Sequence, residues 1–340
     1  MTKAVIERIE LGMPWMGHDP FIFTVHHVDN YPAGDDDLGP AVPLYGRQIG
    51  SDFSYIDGWS MYHGERIPGF PQHPHRGFET VTVVRRGYVD HSDSLGATAR
   101  YGQGDVQWLT TGSGIQHAEM FPLLDPVAPN PFELFQIWLN LPPESKMVPP
   151  YFGMLWDEDI PLVEPAPGVR VDVVAGPIDG SQPPSPPPDS WAAREGSHLA
   201  IWVIRLDPGA QWVPPAAPVG VSRTLHCHVG GDVRLDGTHI GAGVGARLRP
   251  EVPVTLANEG AAAAEFLLLQ GRPIGAPVFQ MGPFVMNSPE ELRQAVDDYR
   301  RTQFGPWPWN GPSPTHARSE GRFAIHVDGR VERREMQASD

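Results

Sequence analysis

The stretch FPQHPHRGFETVTVV, Phe70 to Val84, joins two patterns whose combination decides the fold. From Phe78 onward it is a short apolar and β-branched run of the kind that fills a buried strand. Before that, His73 and His75 stand on either side of Pro74. Proline fixes its own φ, biases the preceding residue toward extended geometry and has no N–H for a ladder, so the segment reads as a strand start or an edge strand. Side chains alternate along an extended chain, so two imidazoles two residues apart point to the same side. That is half of a metal site. Taken alone, such a pair equally suits a surface feature or a locally hydrogen-bonded one.

Outward from this stretch, 37 glycines and 39 prolines in 340 residues punctuate short apolar segments along the whole chain. The pattern predicts many strands joined by tight turns. FIFTVHHV (21–28), FETVTVVRRGYVDH around Arg86-Gly87, GDVQWLTT and FELFQIWLNL (132–141) are strand candidates in the first half; VRVDVVAG, HLAIWVIRL (198–206), RTLHCHV, GDVRLDG, VPVTLANE and AAEFLLLQG follow in the second. The halves look alike, and the proline-dense stretch from Pro142 separates them. We therefore expect domains over residues 1–147 and 148–305, with an extension over 306–340. GPIDGSQPPSPPPDSW, from Gly176, reads as a surface loop, because proline cannot feed a central sheet.

One helix is expected. NSPEELRQAVDDYRR places Ser288 at the N-cap, Pro289 at the first helical position and Glu291 in the capping-box position. Leu292, Ala295, Val296 and Tyr299 share a face, Arg300 and Arg301 suit the C-terminal end, and Gly305 reads as the stop. Beyond it, GPWPWNGPSPTHARSEG reads as a strap or tail and RFAIHVDGRVERRE as a hairpin around Asp328-Gly329.

Lys and Arg total 25 against 41 Asp and Glu, a formal charge of −16. Such a chain repels polyanions, which argues against direct nucleic-acid binding. Cys227 is the only cysteine, so no intramolecular disulfide can form. That, with no basic-flanked apolar leader and no run long enough to span a bilayer, predicts a cytoplasmic protein without membrane attachment.

A second pair of candidate ligands lies in TTGSGIQHAEM, where His117 and Glu119 are also two apart beyond a glycine turn. If the two strands neighbour each other with these faces inward, three imidazole nitrogens and one carboxylate converge. Nitrogen and oxygen donors without thiolate suit iron, manganese, nickel, copper or zinc, and four such ligands on an octahedral ion leave two positions open. Two open positions serve oxygenase chemistry, which brings together an organic substrate and dioxygen. Glu79, four residues after His75, suits either a further ligand, an acceptor behind an imidazole, or a solvated strand residue.

HPHRGFETVT with GDVQWLTTGSGIQHAEM, and GPFVMNSPEELRQAVDDY near the C-terminus, resemble the pirin family of the cupin superfamily, over roughly residues 5–305. The resemblance implies an all-β bicupin: two β-barrel (double-stranded β-helix) domains face to face, with a short C-terminal helix. It implies one metal, usually iron, in the N-terminal domain, held by His73, His75, His117 and Glu119, and a metal-free second domain. It also implies that Glu79 is not a direct ligand. Some pirins are quercetin 2,3-dioxygenase-like and open flavonols with O2, and by that resemblance Glu119 would take the flavonol hydroxyl proton. Others act as regulatory partners of proteins, so the competing class is a metal- or redox-responsive regulator working by protein–protein contact.

The second half has its own pair, His226 and His228. Registering the halves by their hairpin glycines sends the ligand positions to Ala216–Val219, Asn258 and Gly260, none of them a metal ligand, and puts His226 and His228 on the strand corresponding to VVRRG. They are read as a partly exposed polar face. For a flat aromatic substrate the pocket should be apolar with few polar points. Phe70, Trp108, Phe135 and Trp138 are candidate walls and Gln136 a candidate hydrogen-bonder, with core packing the competing role for each aromatic. His91 reads as a surface loop residue.

Overall fold

The computed structural model describes residues 4–336, which form β-strands, short 3-10 turns and one α-helix, Pro289–Thr302. None of its helices is long and apolar enough to cross a membrane. The chain divides into two compact units that interleave in sequence. One comprises the chain up to Val25, Trp138–Pro142 and Glu158–Gly275; the other comprises His26–Ile137, Pro143–Asp157 and the chain from Ala276 onward.

The second of these carries His73, His75, His117 and Glu119. One of its sheets runs in the order Tyr151–Leu155, Val106–Thr110, Phe78–Arg86, then Asn130–Asn140 and Phe21–Tyr31, of which residues 130–137 and 26–31 belong to this unit. Its other sheet runs Val331–Arg334, Arg322–Ile325, Thr98–Gly102, Tyr88–Asp93, Ile115–Met120, Gly69–His75. Tyr31, Tyr101, Leu109, Ile115, Phe121 and Leu134 belong to one buried cluster drawn from both sheets. The helix and the hairpin both pack in this unit. Ser288 Oγ accepts from Glu291 N at 3.2 Å, while Leu292 and Ala295 are buried against Phe284 and Met286. The helix ends in a left-handed Gln303 (φ 52°), ahead of the expected stop at Gly305. The hairpin joins the sheet edge, pairing Phe323 with Arg100 and Ile325 with Thr98.

The other unit repeats the first sheet. Val244–Leu248, Ser222–Val229, Ala264–Gly271 and Ala200–Leu206 follow one another as Val106–Thr110, Phe78–Arg86, Asn130–Asn140 and Phe21–Tyr31 do. His226 and His228 thus stand on the counterpart of Phe78–Arg86, as the glycine register predicts. The counterpart of the ligand-bearing pair is Gln211–Trp212 with Leu256–Asn258, which carries no histidine or carboxylate. Ala216–Val219 fall in the loop after that strand, because the connection to Ser222 is irregular and a fixed offset cannot follow it.

The expected exposed face of His226 is corrected. His226 is buried, its ring stacked on Trp15 at 5.3 Å, with Nδ1 3.1 Å from Leu267 O. Burial pushes its pKa down to about 4. Trp15, remote in sequence, supplies the cover. The proline-rich loop is irregular as expected, ending in the turn Trp191–Ala193 capped by Ser190.

Candidate metal centre

Strands Gly69–His75 and Ile115–Met120 pair antiparallel with His73 opposite His117. Alternation then puts His75 and Glu119 on the same face as that pair. The ring centroids of His73, His75 and His117 stand 4.4–4.9 Å apart, and one nitrogen from each lies within 4.8 Å of the others. Glu119 Oε2 is 3.7 Å from His117 Nε2. The four residues expected as ligands are therefore neighbours.

Burial decides their protonation. His73 is pushed down to about 4, and His75 and His117 fall well below the ordinary imidazole value, in each case chiefly by burial. Neutral imidazoles present lone pairs, as metal ligation requires. His73 Nδ1 lies 2.8 Å from Pro71 O and His75 Nδ1 3.4 Å from Pro283 O, so in the tautomers that donate these bonds Nε2 carries the lone pair. His117 is fully buried, and neither ring nitrogen makes a hydrogen bond. A buried polar atom without a partner is costly, and a cation among the three rings would satisfy it. The donor set fits a mid- to late-row divalent transition metal.

Glu119 is held from two sides. Gln136 Nε2 donates to Oε2 at 2.7 Å and Thr82 Oγ1 donates to Oε1 at 3.4 Å. Burial raises its pKa above the ordinary carboxylate value, against the opposing effects of His91, Gln136 and Thr82. Gln136, expected as a hydrogen-bonder in the substrate pocket, is directed at this carboxylate.

His91 corrects its reading as a surface loop residue. It is fully buried on strand Tyr88–Asp93, directly opposite Glu119, with its ring 5.4 Å from that of His117. Gln107 Nε2 lies 2.8 Å from its Nδ1 and Asp93 Oδ2 3.2 Å from its Nε2, which fits an imidazole accepting at Nδ1 and donating at Nε2. The alternation of Val89, His91 and Asp93 in YVDHSD could have placed His91 on an inward face, had the segment been read as a strand.

Three expected neighbours face elsewhere. The register pairs Thr82 with Gln107, Val81 with Trp108 and Glu79 with Thr110. Thr82 and Gln107 reach Glu119 and His91, so Glu79 and Trp108 point to the opposite face of the sheet. Glu79 is buried there, not solvated, and accepts from Thr110 Oγ1 at 2.6 Å. Trp108 is core. Phe135 adjoins Gln136 on its strand, faces the other way and stacks on His26 at 4.6 Å. Phe70 packs with Tyr62 and Phe121, its ring centroid 6.4 Å from that of His73. Trp138 packs on Phe23 at 4.3 Å.

The depressed histidines make metal-free stability pH-dependent. His27, His73 and His226 are held at about 3, 4 and 4, whereas the unfolded chain protonates them near 6.5. Stability is full above pH 6.5 and falls as pH drops toward 4, by up to about 1.4 kcal/mol per pH unit for each histidine. Asp29, raised by burial to about 7, works in the opposite sense: its contribution is present below 3.8 and lost as pH rises to 7. Urea midpoints of chelator-treated protein should therefore fall on acidification from pH 7 to 5, and fall more steeply in Asp29→Asn.

The family model described as Pirin matches residues 44–139, and that described as Pirin C-terminal cupin domain matches 201–305. A Pseudomonas aeruginosa protein named "Putative quercetin 2,3-dioxygenase" is 37% identical over 69% of this chain and 79% of its own length. Human pirin is 35% identical over 72% of this chain and 80% of its own. Among solved structures, a quercetin 2,3-dioxygenase from Acinetobacter baumannii superposes with a TM-score of 0.70 at 25% identity, covering 90% of this chain and 99% of that one.

Proposed function

The chain belongs to the pirin family, and on that premise we propose that it is a mononuclear metal oxygenase of the quercetin 2,3-dioxygenase type. His73, His75, His117 and Glu119 are its ligand set, Fe(II) its resident ion ahead of Mn, Ni, Cu or Zn, and a flavonol or similar planar enol the substrate opened with O2. The observation that carries this reading is the convergence of three imidazoles held neutral, His75 and His117 buried and His73 half-buried, beside the Glu119 carboxylate.

The ion, when bound, supplies Lewis acidity and redox contact with dioxygen. This chain's residues do the rest. Glu119 takes the proton of the flavonol hydroxyl onto a carboxylate oxygen, acting as the general base. Gln136 fixes the carboxylate through Oε2, and the long Thr82 contact leaves Oε1 the less tightly held oxygen. Phe70, beside His73, offers an apolar edge for a flat ring.

The test is oxygen uptake by iron-reconstituted protein given quercetin. Uptake should match flavonol loss, and Glu119→Gln should lower kcat by about 10²- to 10⁴-fold, the usual contribution of a general base. A protein holding one metal that consumes neither reactant would sink the oxygenase reading.

One observation favours the regulatory alternative. The loop from Val42 to Ile56 exposes Tyr45, Phe53 and Tyr55 at 89%, 56% and 51%. It is pinned by Arg47, which donates to Asp52 Oδ2, Trp59 O and Ile56 O and lies 3.3 Å over the Trp59 ring. A rigid loop presenting aromatic side chains suits contact with a protein.

A further inference from the structure

The strand that carries His73 and His75 is the last in its sheet, with Ile115–Met120 on one side and, among the described residues, no strand on the other. Edge strands are the least constrained elements of a sheet. Two of the three imidazoles nevertheless have to hold a common geometry there. What supports that free edge is the C-terminal chain. Gln72 N–H donates to Pro312 O at 2.7 Å, and Arg76 forms an isolated parallel bridge with Phe284, with Val285 N donating to Arg76 O at 3.0 Å. Pro283 O faces both the Arg76 N–H and His75 Nδ1, each at 3.4 Å.

Alternation extends the same logic to side chains. With His73, His75, His117 and Glu119 on the inner face, Gln72, Arg76 and Gln116 point outward, and all three are engaged. Arg76, buried, donates from Nε to Ser113 O at 2.7 Å and from a terminal nitrogen to Asp298 Oδ2 at 2.9 Å, with its guanidinium 4.5 Å over the Phe304 ring. Gln116, also buried, accepts at Oε1 from Gln72 Nε2 at 2.9 Å and from the Tyr299 hydroxyl at 3.2 Å, and donates to Gln303 O. Lys146 Nζ donates to Gly77 O at 2.6 Å and Val285 O at 3.0 Å. Lifting the helix would strand a buried guanidinium and a buried amide.

We infer that Pro283–Phe304 is the clasp of the metal centre: Arg76 and Gln116 are positioning residues that couple docking of the C-terminal helix to occupancy of the His73, His75 and His117 site. Coupling of this kind is reciprocal, so helix docking tightens metal binding and metal binding tightens the helix by the same factor. The inference rests on those histidines being the ligands, and its test separates the two claims.

The full-length protein is stripped of metal and titrated with Ni²⁺ against a competing chelator. Amide hydrogen exchange across residues 289–302 is followed with and without Ni²⁺. Wild type should bind one Ni²⁺, with slower exchange in the helix when loaded. Arg76→Ala should weaken Ni²⁺ by about 10- to 100-fold, as loss of a ligand's supporting partner usually does, and should abolish the effect of metal on helix exchange. Asp298→Asn, a change on the helix itself, should shift both readouts in the same direction by a smaller factor, and it decides the matter should Arg76→Ala misfold. The electronic spectrum of the Co²⁺-loaded variants should shift as well, which a general loss of stability would not produce. Unchanged Ni²⁺ affinity in the variants, with helix exchange indifferent to metal in wild type, overturns the clasp and leaves the ligand assignment standing. A wild type that binds no Ni²⁺, Co²⁺ or Fe²⁺ overturns both.

Discussion

His117→Ala is expected to lose the metal and, with it, all oxygen uptake on quercetin. His117 is the hub of the cluster, with ring centroids 4.4 Å from His73, 4.9 Å from His75 and 5.4 Å from His91. Removing a partner that merely orients a ligand costs about 10- to 100-fold in metal affinity, and removing a ligand should exceed the upper figure. The variant should still fold, because it also removes a buried imidazole whose nitrogens make no hydrogen bond. Metal content after reconstitution and the urea midpoint of the metal-free protein check the two halves. A variant that retains one tightly held ion would remove His117 from the ligand set, and the oxygenase reading would lose its centre.

The largest effect on stability is expected from Arg100→Ala, a loss of about 3–5 kcal/mol, the usual consequence of removing one partner from a buried ion pair. Arg100 and Asp90 are both fully buried and bonded twice, at 2.7 Å each. The same guanidinium donates to His316 O, Ala317 O and Glu320 O at 2.8–3.1 Å, tying down the C-terminal strap. The substitution leaves a carboxylate in the interior and three carbonyls without their donor. The hairpin Arg322–Arg334 should then detach from strand Thr98–Gly102 and open a sheet edge to aggregation. Denaturation midpoints and proteolysis near residue 320 would report this. Adding Asp90→Leu to Arg100→Met should recover much of the loss, since it removes the buried charge as well. A loss below about 1 kcal/mol in Arg100→Ala would mean that the pair is solvent-screened, contrary to its burial.

The quartet of candidate ligands was legible in the sequence because strand periodicity is a local rule. His73 and His75, and His117 and Glu119, each share a face whatever the remainder of the chain does, and Pro74 marks the edge position of the first pair. The helix was legible for the same reason, since Ser288, Pro289 and Glu291 are neighbours along the chain. The mistaken readings share a different origin. His91 reads as a surface loop residue and His226 as part of a partly exposed polar face because neither carries a mark of what covers it: Gln107 and Asp93 in the first case, Trp15 in the second. Glu79 suggests itself by its distance from His75, and Trp108 and Phe135 as aromatic walls whose facing the sequence leaves open; the pairing of Thr82 with Gln107 turns Glu79 and Trp108 away, and the reach of Gln136 to Glu119 turns Phe135 away.

By itself, then, the sequence determined the strand-rich architecture, the four candidate ligands, the absence of their counterparts in the second half, and the helix. All of these depend on periods of two or 3.6 residues and on caps and turns, interactions within a few residues of each other. Only the tertiary structure decided the partners of the site: His91 opposite Glu119, Gln136 on its carboxylate, and the C-terminal segment against the free edge of the strand bearing His73 and His75. Those depend on register between strands and on contacts between residues as far apart as Arg76 and Asp298. Such contacts form where folding buries both partners together, and no local pattern in the chain encodes which partners those are.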